Sequence, residues 1–538
     1  MTLAAGQFLM VLDSSVMNVS IATVAHDVGT TVTGIQTAIT AYTLVMAALM
    51  VTGGKLGQIM GRKRAFAIGC VIYGCGSLVT SISPSLGVLM FGWSFLEGVG
   101  AALILPAIVA LVATNFAREE RPRAYGLVAS AGAIAVAAGP LVGGLFTTYL
   151  SWRWVFAGET LIVLAILALT RRMADSPPER GVSLDLIGTA LSALGLGLIV
   201  FGILRAGAWG FVQPKPGAPH WLGLSPSIWL ILTGGIVLWL FGRWQSRLIA
   251  DGREPLIDPS IMRNHTLKGG LRAFFFQYML QGGMFFTVPL FLSVALGLSA
   301  VATGVRLLPL SATLLLAAAG IPKVWPRASP RRIVRLGFVA LLAGIVAMLG
   351  ALQAGAGPEI VLVPMLLSGL GIGALASQLG SVTVSSVPDE RSGEVGGLQN
   401  TFTNLGTSLG TALAGAVLIA ALSSSFLTGV QNNQSVPAEV KSQATVQLAG
   451  GVPFVSDAAL RSELRQAGVT GAASEAIVEE NETARLQALR SAFAVLAIAA
   501  VLALLFSGGI PSEQPASTGP PSAADTADAI EPFPATAA

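Results

Sequence analysis

The chain reads as fourteen long apolar runs separated by short polar breaks. A membrane-crossing helix needs about 20 apolar residues. Runs near that length cover 3–24, 34–57, 65–83, 87–114, 124–147, 153–170, 186–204, 227–242, 270–294, 304–322, 333–352, 358–384, 396–422 and 488–507. Several are rich in Gly and Ala, which lets helices approach closely in lipid. The pattern predicts an all-α polytopic membrane protein. The first run is not a cleaved signal peptide, because it lacks a basic leader and is too long for a signal core. Two residues precede Leu3, so a true start upstream of Met1 is one expectation.

Segment 423–487 interrupts the pattern. It is polar and holds helix-forming stretches from Asp457 to Gln466 and from Ser474 to Gln487. The preferred reading is a solvated helical hairpin or partly disordered connector, and the alternative is a lid over the pathway mouth. From Pro511 the chain is rich in Pro, Ala, Ser and Thr. That composition cannot form a core and predicts a disordered tail.

Composition removes the soluble alternatives. Apolar residues make up 53% of the chain and charged residues 11%, with mean hydropathy +0.74, against about 25% charged in soluble domains. The net charge of +4 does not indicate nucleic acid, because most basic residues fall in loops. Twenty-one of them, including Lys55, Arg118, Arg171, Arg180, Arg253, Arg331 and Arg391, follow even-numbered runs. The short loops of the other face hold three, Arg153, Arg205 and Lys215. Basic loops stay in the cytoplasm, so both termini are expected there and 423–487 outside. Arg-over-Lys usage with abundant Ala and Gly suggests a GC-rich bacterial gene, hence an inner (plasma) membrane.

Chemistry enters by exclusion first. The sequence has no GxxxxGK[ST] or HExxH motif and no zinc-spaced Cys/His cluster. Arginines every third residue, as in a voltage sensor, are absent too. An ATP-driven pump, a membrane hydrolase and a voltage-gated channel lose ground, and a non-enzymatic secondary transporter gains it. Cys70 and Cys75 fall on different helix faces, which disfavours a mutual disulfide. His26, His220 and His265 lie in separate loops as surface or interface residues. No metal site or prosthetic group is expected.

Two acidic residues stand inside apolar runs. Asp13 and Glu97 each lie about ten residues, or about 15 Å, into a helix. An ionisable group at that depth is costly unless it faces protein or a wet cavity. Asp13 reads either as a coupling residue or as a packing aspartate satisfied by nearby Ser and Asn. Glu97 reads either as a proton carrier or as a permanently neutral structural carboxyl.

Several motifs resemble those of the major facilitator superfamily. Gly54-Lys55-Leu56-Gly57-Gln58-Ile59-Met60-Gly61-Arg62-Lys63-Arg64 reads as a tight, basic glycine turn between the second and third runs. It resembles the family loop G-x-L-x-D-R-x-G-R-[KR]-[KR], except that Gln58 and Ile59 stand at the Asp and Arg positions. The stretch Leu12 to Val19 resembles the first-span L-D-x-T-x-x-N-x-A-L-P signature of fourteen-span drug:proton antiporters. Asp13 and Asn18 match, and Ser15 replaces Thr. The fourth run, through Trp93, Ser94 and Glu97, resembles R-x-x-Q-G-x-G-A-A, with Ser94 at the Arg position and Glu97 at the Gln position. Gly139, Pro140, Gly143 and Gly144 resemble the antiporter motif G-P-x-x-G-G. Trp152 to Phe156 resembles the W-R-W-x-F turn, which the family continues as N-x-P and this chain as Ala157-Gly158-Glu159.

The resemblance implies a six-helix bundle over 1–170, two inserted helices and a linker over 171–268, a second bundle over 269–507 and a cytoplasmic tail over 508–538. It also implies alternating access around a central site and proton-coupled export of amphipathic, often cationic drugs. The proton gradient would supply the energy, and no obligate protein partner is inferred. In the family fold, spans one and four border one cavity, so Asp13 and Glu97 should sit together. Double ionisation there is unfavourable, and at least one should hold a proton. Asn18, Trp93, Gln277, Gln281, Asn400 and Asn404 are candidate cavity-lining residues, although the last four serve equally as interhelical hydrogen bonds. Export of one endogenous lipid, siderophore or antibiotic is an alternative, and a transport-inactive scaffold or sensor is a second.

Overall fold

The computed structural model describes residues 1–116, 121–175, 178, 183–215, 217–353, 355–387, 392–447 and 452–513. Among these the chain is helical apart from an isolated antiparallel bridge between Trp221 and Leu224. The first half holds α1 (Thr2–Asp27), α2 (Val32–Met60), α3 (Arg62–Ser81), α4 (Leu86–Val112), α5 (Arg121–Tyr149) and α6 (Arg153–Thr170). Helices α7 (Leu186–Trp209) and α8 (Pro226–Ala250) pack on each other. The second half holds α9 (His265–Leu290), α10 (Ala300–Val324), α11 (Pro330–Ala351), α12 (Leu362–Val384) and α13 (Ser392–Asn432). After two short helices, α14 (Ala438–Gln447) and α15 (Asp457–Gln466), α16 (Ala472–Phe506) completes it.

Thirteen rods are long and apolar enough to span a membrane, and α5, bent by 43°, makes a fourteenth. The bend falls just before Gly139-Pro140, where proline removes a backbone donor and crowds the preceding turn. Short breaks are set by capping side chains. Thr31 Oγ1 accepts from Gly34 N–H, Asn264 Oδ1 from Leu267 N–H and Ser299 Oγ from Ala302 N–H.

Three expectations need correction. The Gly54-to-Arg64 stretch is not an extended turn. Helix α2 runs through Gly54 and Gly57 to Met60, and Gly61 alone reverses the chain at φ 97°. Only glycine adopts that conformation without strain, while glycines inside a membrane helix are tolerated. Segment 423–487 is not a solvated connector. Helix α13 continues to Asn432, α16 starts at Ala472, and Val436, Val452 and Phe454 are buried in the main core. The Arg485 guanidinium, 1% exposed, binds Asp457 and donates to the Val455 carbonyl. The tail is not free from 508: Ile510 is buried, and Arg331 donates from Nε to its carbonyl and from its backbone N–H to Pro511. The rest of the predicted tail, from 514, lies outside the described residues, as do Arg118, Arg180 and Arg391.

The halves meet along α5 against α10 and α2 against α13, and α7 touches both α2 and α13. The basic residues gather at one end, where Lys55 pairs with Glu254 at 2.8 Å and Lys63 Nζ donates to the carbonyls of Arg171 and Met173. Three hydrogen bonds between the halves lie toward the opposite end, and a longer one, from Ser311 Oγ to the Val136 carbonyl at 3.4 Å, lies at mid-height. Gln36 Nε2 donates to the Thr411 carbonyl at 2.9 Å, and Ser408 Oγ donates to the Thr40 carbonyl at 3.1 Å. Val301 N–H donates to Thr148 Oγ1 at 3.0 Å.

Candidate functional site

Three helices of the first half converge on three carboxyl groups. Asp13 comes from α1, Glu97 from α4 and Glu159 from α6. One oxygen of each lies within 4.8 Å of the others, and all three residues are buried, at 0%, 0% and 1% exposure. Asp13 and Glu97 therefore share one pocket. Glu159 joins them, although the sequence reading treated it only as a departure from the N-x-P continuation. Its signal was present: an ionisable residue seven positions into an apolar run.

Local structure explains the convergence. Helix α4 widens into a π-helical stretch over Met90–Glu97 that carries Trp93, Ser94 and Glu97. Such stretches are uncommon and concentrate at functional sites. Trp93 Nε1 donates to both oxygens of Asp13, at 2.8 and 3.0 Å. Neighbouring Ser and Asn side chains do not satisfy Asp13; Ser15 and Asn18 bond back to the carbonyls of Val11 and Ser14. The Trp93 ring stacks on Tyr42 of α2, with centroids 4.9 Å apart and planes 12° apart. Thr80 Oγ1 donates to Glu97 at 3.1 Å. Ser77 Oγ and Tyr73 OH approach Glu159 at 3.4 and 3.5 Å. Ser94, at the family's Arg position, donates to the Ala38 carbonyl across the α2–α4 seam at 2.8 Å. Close packing demands small residues beside the cluster: a Cβ on Gly76 would lie 2.6 Å from Glu97 Cγ.

The electrostatics are one-sided. Among the described residues, no Lys, Arg or His bonds to these carboxyls, and Glu97 Oε2 and Glu159 Oε1 have no hydrogen-bond partner. Three anions cannot coexist in so dry a place. The arrangement can hold protons, pass one between neighbouring carboxyls, or exchange protons for a cation. The oxygen donors also have the hardness that a hard metal ion prefers.

The other candidates lie elsewhere. Asn400 and Asn404 bond to carbonyls of their own helix, α13, at Gly396 and Asn400. Gln277 and Gln281 on α9 each bury a side-chain oxygen that lacks a partner. All four belong to the second half. The Gly139-Pro140 and Gly143-Gly144 pairs sit at helix crossings. A Cβ on Gly143 would lie 2.9 Å from Val16 Cα of α1, and one on Gly144 would lie 2.7 Å from the Ala300 carbonyl oxygen of α10. A Cβ on Gly139 would overlap Ser15. Asp175 accepts from Lys63 N–H at the start of α3, and Gln58 Oε1 is buried without a partner. Arg62 Nη1 donates to the Gly54 carbonyl at 3.4 Å. Arg64 is exposed.

Comparison with known proteins agrees with this layout. Residues 3–411 match the family model described as Major Facilitator Superfamily. The chain is 31% identical over 417 residues to the puromycin resistance protein pur8 of Streptomyces alboniger, covering 75% of this chain and 78% of that one. It is 29% identical over 475 residues to a probable actinorhodin transporter of Streptomyces coelicolor, covering 85% and 78%. The multidrug resistance protein Stp of Mycobacterium tuberculosis is 24% identical over 423 residues, covering 78% and 75%. Among solved structures, a bacterial homologue of the human lysosomal transporter Spinster superposes with TM-score 0.59 at 15% identity, covering 95% and 96% of the two chains.

Proposed function

Since the chain belongs to the Major Facilitator Superfamily, a family of membrane transporters, we propose that it exports amphipathic, often cationic drugs by alternating access, in exchange for protons. The observation that carries this reading is the cluster of Asp13, Glu97 and Glu159, buried without a basic partner among the described residues. A proton arriving from the acidic side neutralises one carboxyl. A cationic substrate competes for the same negative charge, so proton release and substrate binding are coupled. Trp93 fixes the Asp13 carboxylate, and the Tyr42–Trp93 stack offers an aromatic wall to a flat or cationic substrate. Asn18, Gln277, Gln281, Asn400 and Asn404 would line the path, and the proton gradient would supply the energy.

Orientation follows from the basic end. With Lys55, Arg62, Lys63 and Arg64 in the cytoplasm, both termini are cytoplasmic in the bacterial plasma membrane, and the bonds between halves seal the outer end. Specific export of an endogenous antibiotic is a second reading. The names of two relatives favour it, the probable actinorhodin transporter and a cephamycin export protein of Amycolatopsis lactamdurans.

Inverted vesicles test the mechanism. Uptake of a cationic dye should rise with a pH gradient, acid inside. Asp13→Asn should abolish that rise at normal expression. Glu97→Gln and Glu159→Gln should weaken it, most for cationic substrates. If all three variants concentrate the dye at wild-type rates, the coupling site lies elsewhere.

A further inference from the structure

A groove of about 580 Å³ opens between α11 and α16, on the flank of the second half and away from the carboxyl cluster. Leu349, Leu352, Leu486 and Ala494 give it an apolar floor, and Gln353 and Arg490 stand on its rim. The two helices run antiparallel and are tied at both ends. Arg331 and Arg335 reach Ile510 and Ser507 at the basic end, and Arg490 Nε donates to the Leu352 carbonyl at 2.9 Å at the other.

The position of Arg490 is the informative part. It is the last charged residue before the uncharged run 491–506 on α16, and its hydrogen-bond partner Leu352 directly follows the last residue of α11, which is uncharged from Leu336 on. Both helices therefore place the same level of the molecule at the edge of the apolar slab. Arg490 is exposed, and its Nη groups have no partner among the described residues. Below it, Val346 and Ile498 are exposed apolar residues at 49% and 61%, continuing the groove as a surface suited to lipid chains.

We infer that this groove binds one anionic phospholipid of the adjoining leaflet, with an acyl chain between α11 and α16 and the phosphate on Arg490. A guanidinium fixed by a carbonyl still has its Nη groups to donate to a phosphate, and the net charge selects the headgroup, because a zwitterionic lipid brings its own cation beside Arg490. The apolar floor supplies sequence-independent affinity.

The test uses the full chain purified in mild detergent and mixed with phosphatidylglycerol or phosphatidylcholine. Native mass spectrometry should show phosphatidylglycerol retained several-fold over phosphatidylcholine, whose choline cation opposes the guanidinium. Arg490→Gln should bring the ratio to about one, and Arg490→Lys should keep part of it. Ala494→Trp should lower retention of both lipids. Equal retention of the two lipids by the wild type, or an unchanged ratio in Arg490→Gln, would overturn the assignment.

Discussion

At the scale of single residues, the site turns on who satisfies whom. Asp13 depends on one indole donor, and Trp93→Phe keeps an aromatic ring against Tyr42 while removing that donor. Loss of a hydrogen bond to a charged group costs about 1.5–3 kcal/mol. Initial-rate efflux of a cationic dye should therefore fall at least about tenfold in Trp93→Phe with unchanged expression, and an unaltered rate would show that Asp13 needs no fixed geometry. The pairing of Asp13 with Glu97 was expected from their equal depth in apolar runs together with the family resemblance, which puts spans one and four on one cavity. Glu159 was legible by the same rule, as an acidic residue inside an apolar run beside the Trp152-to-Phe156 turn. The Trp93–Asp13 bond was not legible, since neither a π-helical stretch nor an indole's direction leaves a mark in the order of residues.

At the scale of elements, hydrophobic runs located the rods well, because a membrane demands long uncharged helices. The runs failed where glycine has two meanings. Gly54 and Gly57 are packing residues inside α2, and Gly61 is the turn; the letters are identical and only the backbone separates them. Gly144 has a third role, at the contact between halves. Gly144→Val forces side-chain atoms into the Ala300 backbone, an overpacking of about 1–3 kcal/mol, and should hold the opposite end open. A reporter cysteine near Thr148 should then react faster with a membrane-impermeant reagent. The helices at 457–466 and from 474 on were legible in the sequence, and a lid was the alternative reading; that the segment packs down as a cap was not legible, because the residues that anchor it, Val452, Phe454 and Arg485, are scattered. Arg485→Ala leaves Asp457 without its strongest partner and should loosen the cap. Limited proteolysis should cut within 433–471 several times faster than in wild type, with the membrane rods intact.

At the scale of the whole molecule, two halves and an inserted pair enclose a polar centre, and the direction of access depends on which end is sealed. The basic end is tied by Lys55–Glu254 and by Lys63 on the chain after α6, but Gln58 sits there with a buried, unpartnered oxygen. Gln58→Asp places a negative charge close to Arg62 and should strengthen that end, so that fewer molecules have it open. Spin-label distances across the basic end should shorten in the variant, and unchanged distances would remove the loop from the account of gating. The seal at the other end works differently. Gln36 and Ser408 each donate to a carbonyl of the facing helix, at Thr411 and Thr40. A carbonyl has two lone pairs, and within a helix the other one already serves the helix's own ladder. Parting the halves therefore leaves no orphaned acceptor, and the freed donors meet water as the crevice wets. The contact behaves as a latch rather than a weld: it is specific enough to set one register between the halves, and cheap enough to be undone and remade in every cycle.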